Sequence, residues 1–538
     1  MAAPAVYLKE QDKSLRVPES PGLYAAIVVD AERGPLTPTL ITNIDQLLRT
    51  YTTTGKLRRG GSNALLSAMQ FLTASNKLWV ARAIGTEYSY AGLLVSFDTG
   101  IDTVSFSTAS ATNPSTFTSW GATGKLLLAA DSPGGWANNR VAVQFSKYTR
   151  PLPAGSNSQA FVLSVYFDNV KVEEHLVSLW QDELDGNGKS IFIETVLRSS
   201  GYVQAKVNPT AITGGSASQL IPTAGTGPWP ASPSALDNGT NGGVPGQSAY
   251  INAANQFANK LDYPVTLFLD GGYADPDYAV TLTNLAENRR DAVAILSVPS
   301  QSESSANYLN DVISYSQSTG TGIGGINSSY AALYSPGIKL YVPDFDDYVY
   351  VSPDGFVASA IAKTAQNYEI WMPIGGWIRG KLNVVDVLRN YTDGELDALY
   401  DANINPIRFK RGKGISIWGQ KTLYRMPSAL DRLNVRLLLI TIENAIAESL
   451  EGYLFEQNTA ATRSLIQAMI EGYMSNIQSR NGVYDFLVVC DDSNNSAVDI
   501  DNYRLNVDLY VKPVKAIEYI HFRTVIAPTG VSFDLVRG

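Results

Sequence analysis

The chain has 538 residues, 45% hydrophobic and 17% charged, with a formal net charge of −9 and a pI near 5.0. That length exceeds one ordinary core and predicts roughly two to four domains. The acidic balance argues against direct nucleic-acid binding. The single cysteine, Cys490, leaves no intrachain disulfide and fits a reducing cytosol. Met1-Ala2-Ala3-Pro4 does not open a secretory apolar segment, and no apolar run reaches the roughly 20 residues that span a bilayer, so membrane insertion is not expected.

In chain order, a short strand-like segment (Ala5, Val6, Tyr7, Leu8) precedes a charged stretch and is cut off by Pro18, Pro21 and Gly22. This reads as a free arm, and at ~3.3 Å per extended residue about twenty residues reach ~65 Å. Leu23 to Val29 reads as a strand. Ile41 to Arg49 and Asn63 to Thr73 read as helices with N-caps at Asn43 and Ser62, and Lys77 to Ile84 as a buried strand. After residue 90 the composition turns Thr/Ser/Gly-rich: Val95 to Thr108 alternates, and Val141 to Phe145 and Ala160 to Phe167 are strands. A Gly/Pro/Ser/Asn tract from Asn208 to Gln247 reads as a long loop or linker.

Regular alternation then returns. Helices are predicted at Ile251–Leu261, Asp277–Glu287 and Ser304–Tyr315, and strands at Val265–Leu269, Ala292–Val298 and Ile338–Val342, the pattern of a parallel sheet covered by helices. Residues 91–247 are then a β-rich insertion into an α/β core formed by 23–90 and 248–400. A C-terminal domain, 401–525, carries two strong helices. The first is Leu430 to Phe455. The second is capped by Asn458 and ends at Asn481-Gly482. Strands follow at Tyr484–Val489, Arg504–Lys512 and Ala516–Val525. Pro528-Thr529-Gly530 detaches a last strand, Val531 to Val536, so that 1–22 and 526–538 are the two arms.

Little here resembles a catalytic or metal site. His175 and His521 are the only histidines, each in a strand-like stretch, and no serine lies in a G-x-S-x-G context. Glu183 to Glu194 places Asp185, Asn187, Gly188 and Glu194 at calcium-loop spacing, but Glu at the first position and Ser190 at the eighth favour a plain β-turn. Gly320 to Gly325 lacks the Gly-Lys-Ser/Thr ending of a phosphate loop and reads as a turn. Asp344, Asp346 and Asp347 read as an acidic loop. Arg408, Lys410, Arg411 and Lys413 form the one dense basic cluster, which ordinarily reads as a solvated loop and whose functional reading is a salt-sensitive contact with an acidic partner.

Four segments near the C-terminus carry a resemblance: Trp418-Gly419-Gln420-Lys421-Thr422-Leu423, Asn434 to Leu438, Tyr453 to Asn458 and Cys490 to Asn495. In that order and spacing they resemble the tail sheath proteins of contractile phages, a family that includes the sheaths of R-type bacteriocins and related injection systems. Gly34-Pro35, Trp79 to Arg82, Ser132 to Asn139, Tyr330 to Tyr334 and Ser352 to Gly355 extend the match, with departures at Ala137 and Asp354 and a looser fit at Trp371 to Ile374.

The resemblance implies a discontinuous, non-catalytic subtilisin-like α/β core with the inserted β-rich domain, a C-terminal α+β domain and terminal arms. It implies no enzyme activity, cofactor or metal. Subunits would stack as hexameric discs around an inner tail tube, in contact with baseplate and tail terminator proteins, in a virion tail assembled in the host cytoplasm. The arms, through Ala5, Val6, Tyr7, Leu8, Val531, Phe533 and Leu535, would add strands to neighbours. Pro18, Pro21, Gly22, Pro528 and Gly530 would be hinges, and Arg463 and Lys413 would face the tube.

Overall fold

The structure is a computed structural model and describes residues 22–59, 63–98, 103–121, 124–148, 160–212 and 232–522. Both expected arm strands and the hinge positions Pro18, Pro21, Pro528 and Gly530 lie outside the described residues, as does the expected cap Ser62; Gly22 is the one hinge position inside them. By compactness the chain divides into two units, one spanning Ser20–Thr441 and the other including the chain from Ile442 onward.

The larger unit is built on a nine-stranded sheet. Its spatial order is Lys381–Leu382, Gly414–Ile417, Ile404–Lys410, Ala331–Ser335, Val293–Ser297, Leu267–Leu269, Ala25–Asp30, Leu78–Ala83 and Thr39–Ile41. The six strands from Ile404–Lys410 to Leu78–Ala83 are parallel, and antiparallel strands close both ends. Helices cover both faces, so the first strand is apolar from Ala25 to Val29. Ala25, Ile27 and Val29 pack on one side with Leu47, Phe71 and Val357, and Ala26 and Val28 on the other with Tyr250, Tyr278 and Leu282.

The helix Ile44–Tyr51 starts at the expected Asn43, whose side chain accepts from Gln46 N at 2.8 Å. Ile338–Val342 is a strand but not one of the parallel set. It sits between Asp347–Val351 and Asp386–Val387 in a separate antiparallel sheet, and the parallel position belongs to Ala331–Ser335. Two apolar runs separated by Pro336-Gly337 look alike to a periodicity argument, and only the five-residue run buried on both faces enters the parallel sheet.

The insertion joins a five-stranded sheet (Val203–Val207, Gly124–Ala130, Glu87–Asp98, Thr240–Gly242, with Thr103–Ala111) to a four-stranded one (Ser234–Ala235, Val141–Lys147, Ala160–Phe167, Val170–Ser178). Leu93, Val95, Leu126 and Leu128 share one core with Val143, Phe145, Leu163 and Val165, the alternating arrangement of a sandwich. The tract 208–247 is not simply a linker. Ser234–Ala235 pairs with Val143 and Ala142, and Thr240–Gly242 pairs with Ser89 to Glu87, so its end returns to the base of the insertion.

The strands at 404–410 and 414–417 extend the large sheet, and the second compact unit takes up the chain from Ile442, inside the helix Leu433–Glu451. In that unit the helix Ala460–Ser479 is capped by Thr459 and not by Asn458, and the strands Val483–Val489 and Asp508–Pro513 form a two-stranded antiparallel ladder. The expected strand at Ala516–Val525 is absent among the described residues 516–522, where Ile517, Tyr519, Ile520 and Phe522 are exposed.

Candidate functional site

In an open parallel sheet, ligands bind beyond the carboxyl ends of the strands where the strand order reverses. Here that point lies between Ala25–Asp30 and Leu267–Leu269, because the chain steps to Leu78–Ala83 on one side and to Leu267–Leu269 on the other. The chain itself fills this crevice. Gly271 (φ +64°) and Gly272 (φ +77°) follow the strand, and a Cβ on Gly271 would stand 2.7 Å from Ala64 Cβ, one on Gly272 3.0 Å from Ser352 Oγ.

Two fully buried carboxyls meet the same turn. Asp270 accepts from Gly272 N at 3.0 Å and from Ser297 N and Oγ, each at 2.5 Å. Asp354 accepts from Ser67 Oγ at 2.7 Å, from Gly271 N at 2.9 Å and from Ser352 Oγ. Burial, and then the neighbouring Asp354 charge, pushes Asp270 up to about 7, and burial raises Asp354 as well. Every donor here is a backbone amide or a serine. His175 is in the insertion, paired with Glu173 Oε2 at 2.9 Å, and His521 is an exposed residue of the other unit. Ser67 therefore has a carboxyl acceptor but no imidazole, and the arrangement ties two loops and the helices Asn63–Leu72 and Asp354–Asn367 together.

A third buried carboxyl, Glu303, accepts from Ser335 Oγ at 2.8 Å and Gly337 N at 2.9 Å, and burial pushes it up to about 7. At the base of the insertion Arg82, also buried, donates to the carbonyls of Ala31 (3.0 Å), Glu32 (3.0 Å), Gly34 (3.1 Å) and Pro133 (2.8 Å), and to Asn241 Oδ1 (3.4 Å). One guanidinium thus joins the core to two separate stretches of the inserted domain. Burial lowers its pKa to about 10, which leaves it charged at neutral pH.

The remaining sequence candidates resolve into local structure. Asp185 Oδ1 accepts from Asn187 N (2.8 Å) and Lys189 N (2.9 Å) within a Leu184–Ser190 bridge, while Glu194 serves Val207 N at 2.7 Å; the segment is a turn that satisfies its own carboxylate. Asp344 accepts from Leu57 N, Asp346 from Tyr341 Oη and Asp347 from Arg59. No group of three potential metal ligands occurs among the described residues. Cys490 is buried, which raises its thiol pKa.

Of the two residues expected to face a tube, Lys413 is exposed, whereas Arg463 is buried and its guanidinium is engaged by Asn458 Oδ1 (2.9 Å) and Asp492 Oδ1 (2.5 Å). In the same unit the two-stranded ladder has no further strand on either edge among the described residues, and Tyr484, Leu487 and Tyr510 are exposed on it.

These sheets and helices define a mixed α/β protein with several sheets. The sequence matches the phage tail sheath protein central domain over residues 243–423 and the phage tail sheath C-terminal domain over residues 426–527. The chain belongs to the phage tail sheath family. The tail sheath protein of Vibrio phage KVP40 is 30% identical over 418 residues, 74% of this chain and 59% of that protein. That of Enterobacteria phage T4 is 28% identical over 54% of this chain and 46% of that protein. The chain thus spans about half the length of these curated relatives. The fold is shared with the sheath tail protein of Listeria innocua (TM-score 0.56, 13% identity, 92% of this chain and 96% of that one). It is also shared with the anti-feeding prophage helical sheath in its contracted state (TM-score 0.51, 12% identity, 98% and 99%).

Proposed function

We propose that this chain is the repeating subunit of a contractile tail sheath, which polymerises as hexameric discs around an inner tube and contracts to drive that tube through a host envelope during genome delivery. The observation that carries the reading is family membership across the central and C-terminal domains. The open edges of the Val483–Val489 and Asp508–Pro513 ladder support strand exchange in particular, since each offers unpaired backbone groups to the arm of a neighbour. A strand of about four to six backbone bonds at ~1 kcal/mol each contributes a few kcal/mol, and repetition over every subunit makes the mesh durable. During contraction the core, which we read as a subtilisin-like scaffold, moves as a body while the arms stay paired, with Pro18, Pro21, Gly22, Pro528 and Gly530 absorbing the rotation. Baseplate and terminator proteins bound the polymer, and the virion tail is its destination after assembly in the host cytoplasm. The alternative reading, a virion-associated subtilisin-like hydrolase, gains nothing from the crevice, where Ser67 donates to Asp354 and the one histidine of this unit, His175, lies in the insertion paired with Glu173.

The full chain is expected to form hollow cylinders under negative stain, and deletion of residues 1–20 to leave a folded protein that forms none. Ordinary cylinders from the truncated protein would end the strand-exchange reading.

A further inference from the structure

We propose that the basic and aromatic end of the large sheet is a contact between copies of this chain, seated on the acidic segment 491–504 of a second copy. The inference rests on the self-assembly reading and adds a contact that is separate from the arms.

The hairpin of Ile404–Lys410 and Gly414–Ile417 carries Phe409, Lys410, Arg411 and Lys413, all exposed. Beside it the Trp377 and Trp418 rings lie 5.3 Å apart. Lys413 Nζ stands 5.7 Å from the Trp377 ring and the Arg408 guanidinium 5.2 Å from that of Trp418. Arg408 is committed to Asp393 at 2.6 Å, whereas Lys410, Arg411 and Lys413 have no carboxylate partner among the described residues. Ile378 next to the pair is 82% exposed and Trp418 36%. Aromatic anchors with a cationic rim are the composition of a protein interface, and one of this sign selects an acidic partner.

The chain itself holds such a partner surface. Residues 442–522 contain twelve Asp and Glu against five Lys and Arg, which concentrates most of the net charge of −9 in the smaller unit. Within it Asp491, Asp492 and Asp501 are exposed around the short helix Ala497–Asp501, together with Val498 and Tyr503, which are 67% and 98% exposed. Charge and apolar surface therefore alternate on both patches with opposite sign. In a polymer of identical subunits the two need only meet head to tail, as a heterologous contact requires.

The test uses full-length protein, followed by sedimentation velocity and negative stain at about 50 mM and about 300 mM salt. Combining Lys410→Glu, Arg411→Glu and Lys413→Glu is expected to raise the assembly concentration about tenfold at the lower salt. Added salt is expected to weaken assembly of the wild type. Adding Asp491→Lys and Asp501→Lys to the triple variant is expected to restore assembly. Wild-type behaviour of the triple variant overturns the proposal. So does a defect that the swap leaves unrepaired. If the triple variant does not fold, the pair Lys410→Ala and Arg411→Ala must show the same shift in smaller measure, and its absence overturns the proposal. If the wild type forms no polymer, the sheath reading fails, and the contact is judged on a salt-sensitive dimer. Loss of that dimer in the triple variant and its return in the swap support the contact, and any other outcome overturns it.

Discussion

Arg82 and Asp270 show how much this fold asks of single buried polar side chains. Arg82 satisfies four carbonyls and an amide oxygen from three separate stretches of chain, so its removal strands acceptors that water cannot reach. Arg82→Met is expected to cost about 3 kcal/mol or more, lowering the tryptophan-monitored melting transition by roughly 3–4 °C. Asp270 works in the opposite sense. Its folded pKa is raised by burial and by Asp354, so the unfolded chain releases the proton first and the stabilising contribution is complete only below about pH 4. It declines as pH rises and is spent above about pH 7. The stability of Asp270→Asn relative to wild type should therefore climb between pH 4 and pH 8, by up to about 1.4 kcal/mol per pH unit, in denaturant titrations read by tryptophan; a flat difference would contradict this. Neither role was legible in sequence. Trp79 to Arg82 could be recognised as a family segment, but the carbonyls that Arg82 gathers lie about 50 residues away on either side of it and, at Asn241, 159 residues on. Asp354 stood out only as a departure, and its three donors explain why an acid is tolerated with no exposure at all.

At the scale of elements, periodicity served where one face is buried and failed where context decides. The helix at Asn43 was readable because an Asn cap and its receiving amide are three residues apart. The helix Ala460–Ser479 was readable too, but its cap was misplaced by one residue, since Asn458 and Thr459 are both competent caps and only the fold commits Asn458 to Arg463 and Arg504. Thr459 Oγ1 accepts from Thr462 N at 3.2 Å. Thr459→Ala is expected to destabilise the C-terminal unit by about 1 kcal/mol, seen as faster amide exchange along 460–479. The tryptophan transition should not move, because all eight tryptophans precede Thr441. The strand expected at Ala516–Val525 has the right alternation, and its described part lacks a ladder. A sequence can encode a strand whose partner is another molecule, and nothing in its own pattern says so.

At the scale of the whole molecule, the sequence indicated a mixed α/β fold, and the structure has one, with several sheets. What it could not indicate is that residues 404–417 finish the large sheet, because a short antiparallel pair reads the same at an edge as in a domain of its own. The same pair carries the basic patch assigned here to contact between copies, so the boundary matters for function. Charge is divided unevenly, with the acidic excess after Thr441 and the cationic hairpin before it. In a repeating assembly such a division gives each subunit a direction.

The insertion leaves and re-enters the core through two strands that are themselves paired, Gly242 opposite Glu87 and Thr240 opposite Ser89, with Gly85 N donating to Asn241 O at 3.1 Å. Its two ends are thus about 5 Å apart, the spacing of neighbouring antiparallel residues. A domain attached by adjacent ends behaves as a plug-in cassette. It can be lengthened, trimmed or exchanged for any module whose own termini lie side by side, and the scaffold beneath sees the same two-strand socket each time. In the proposed sheath, a foreign module grafted at that socket would be displayed once per subunit.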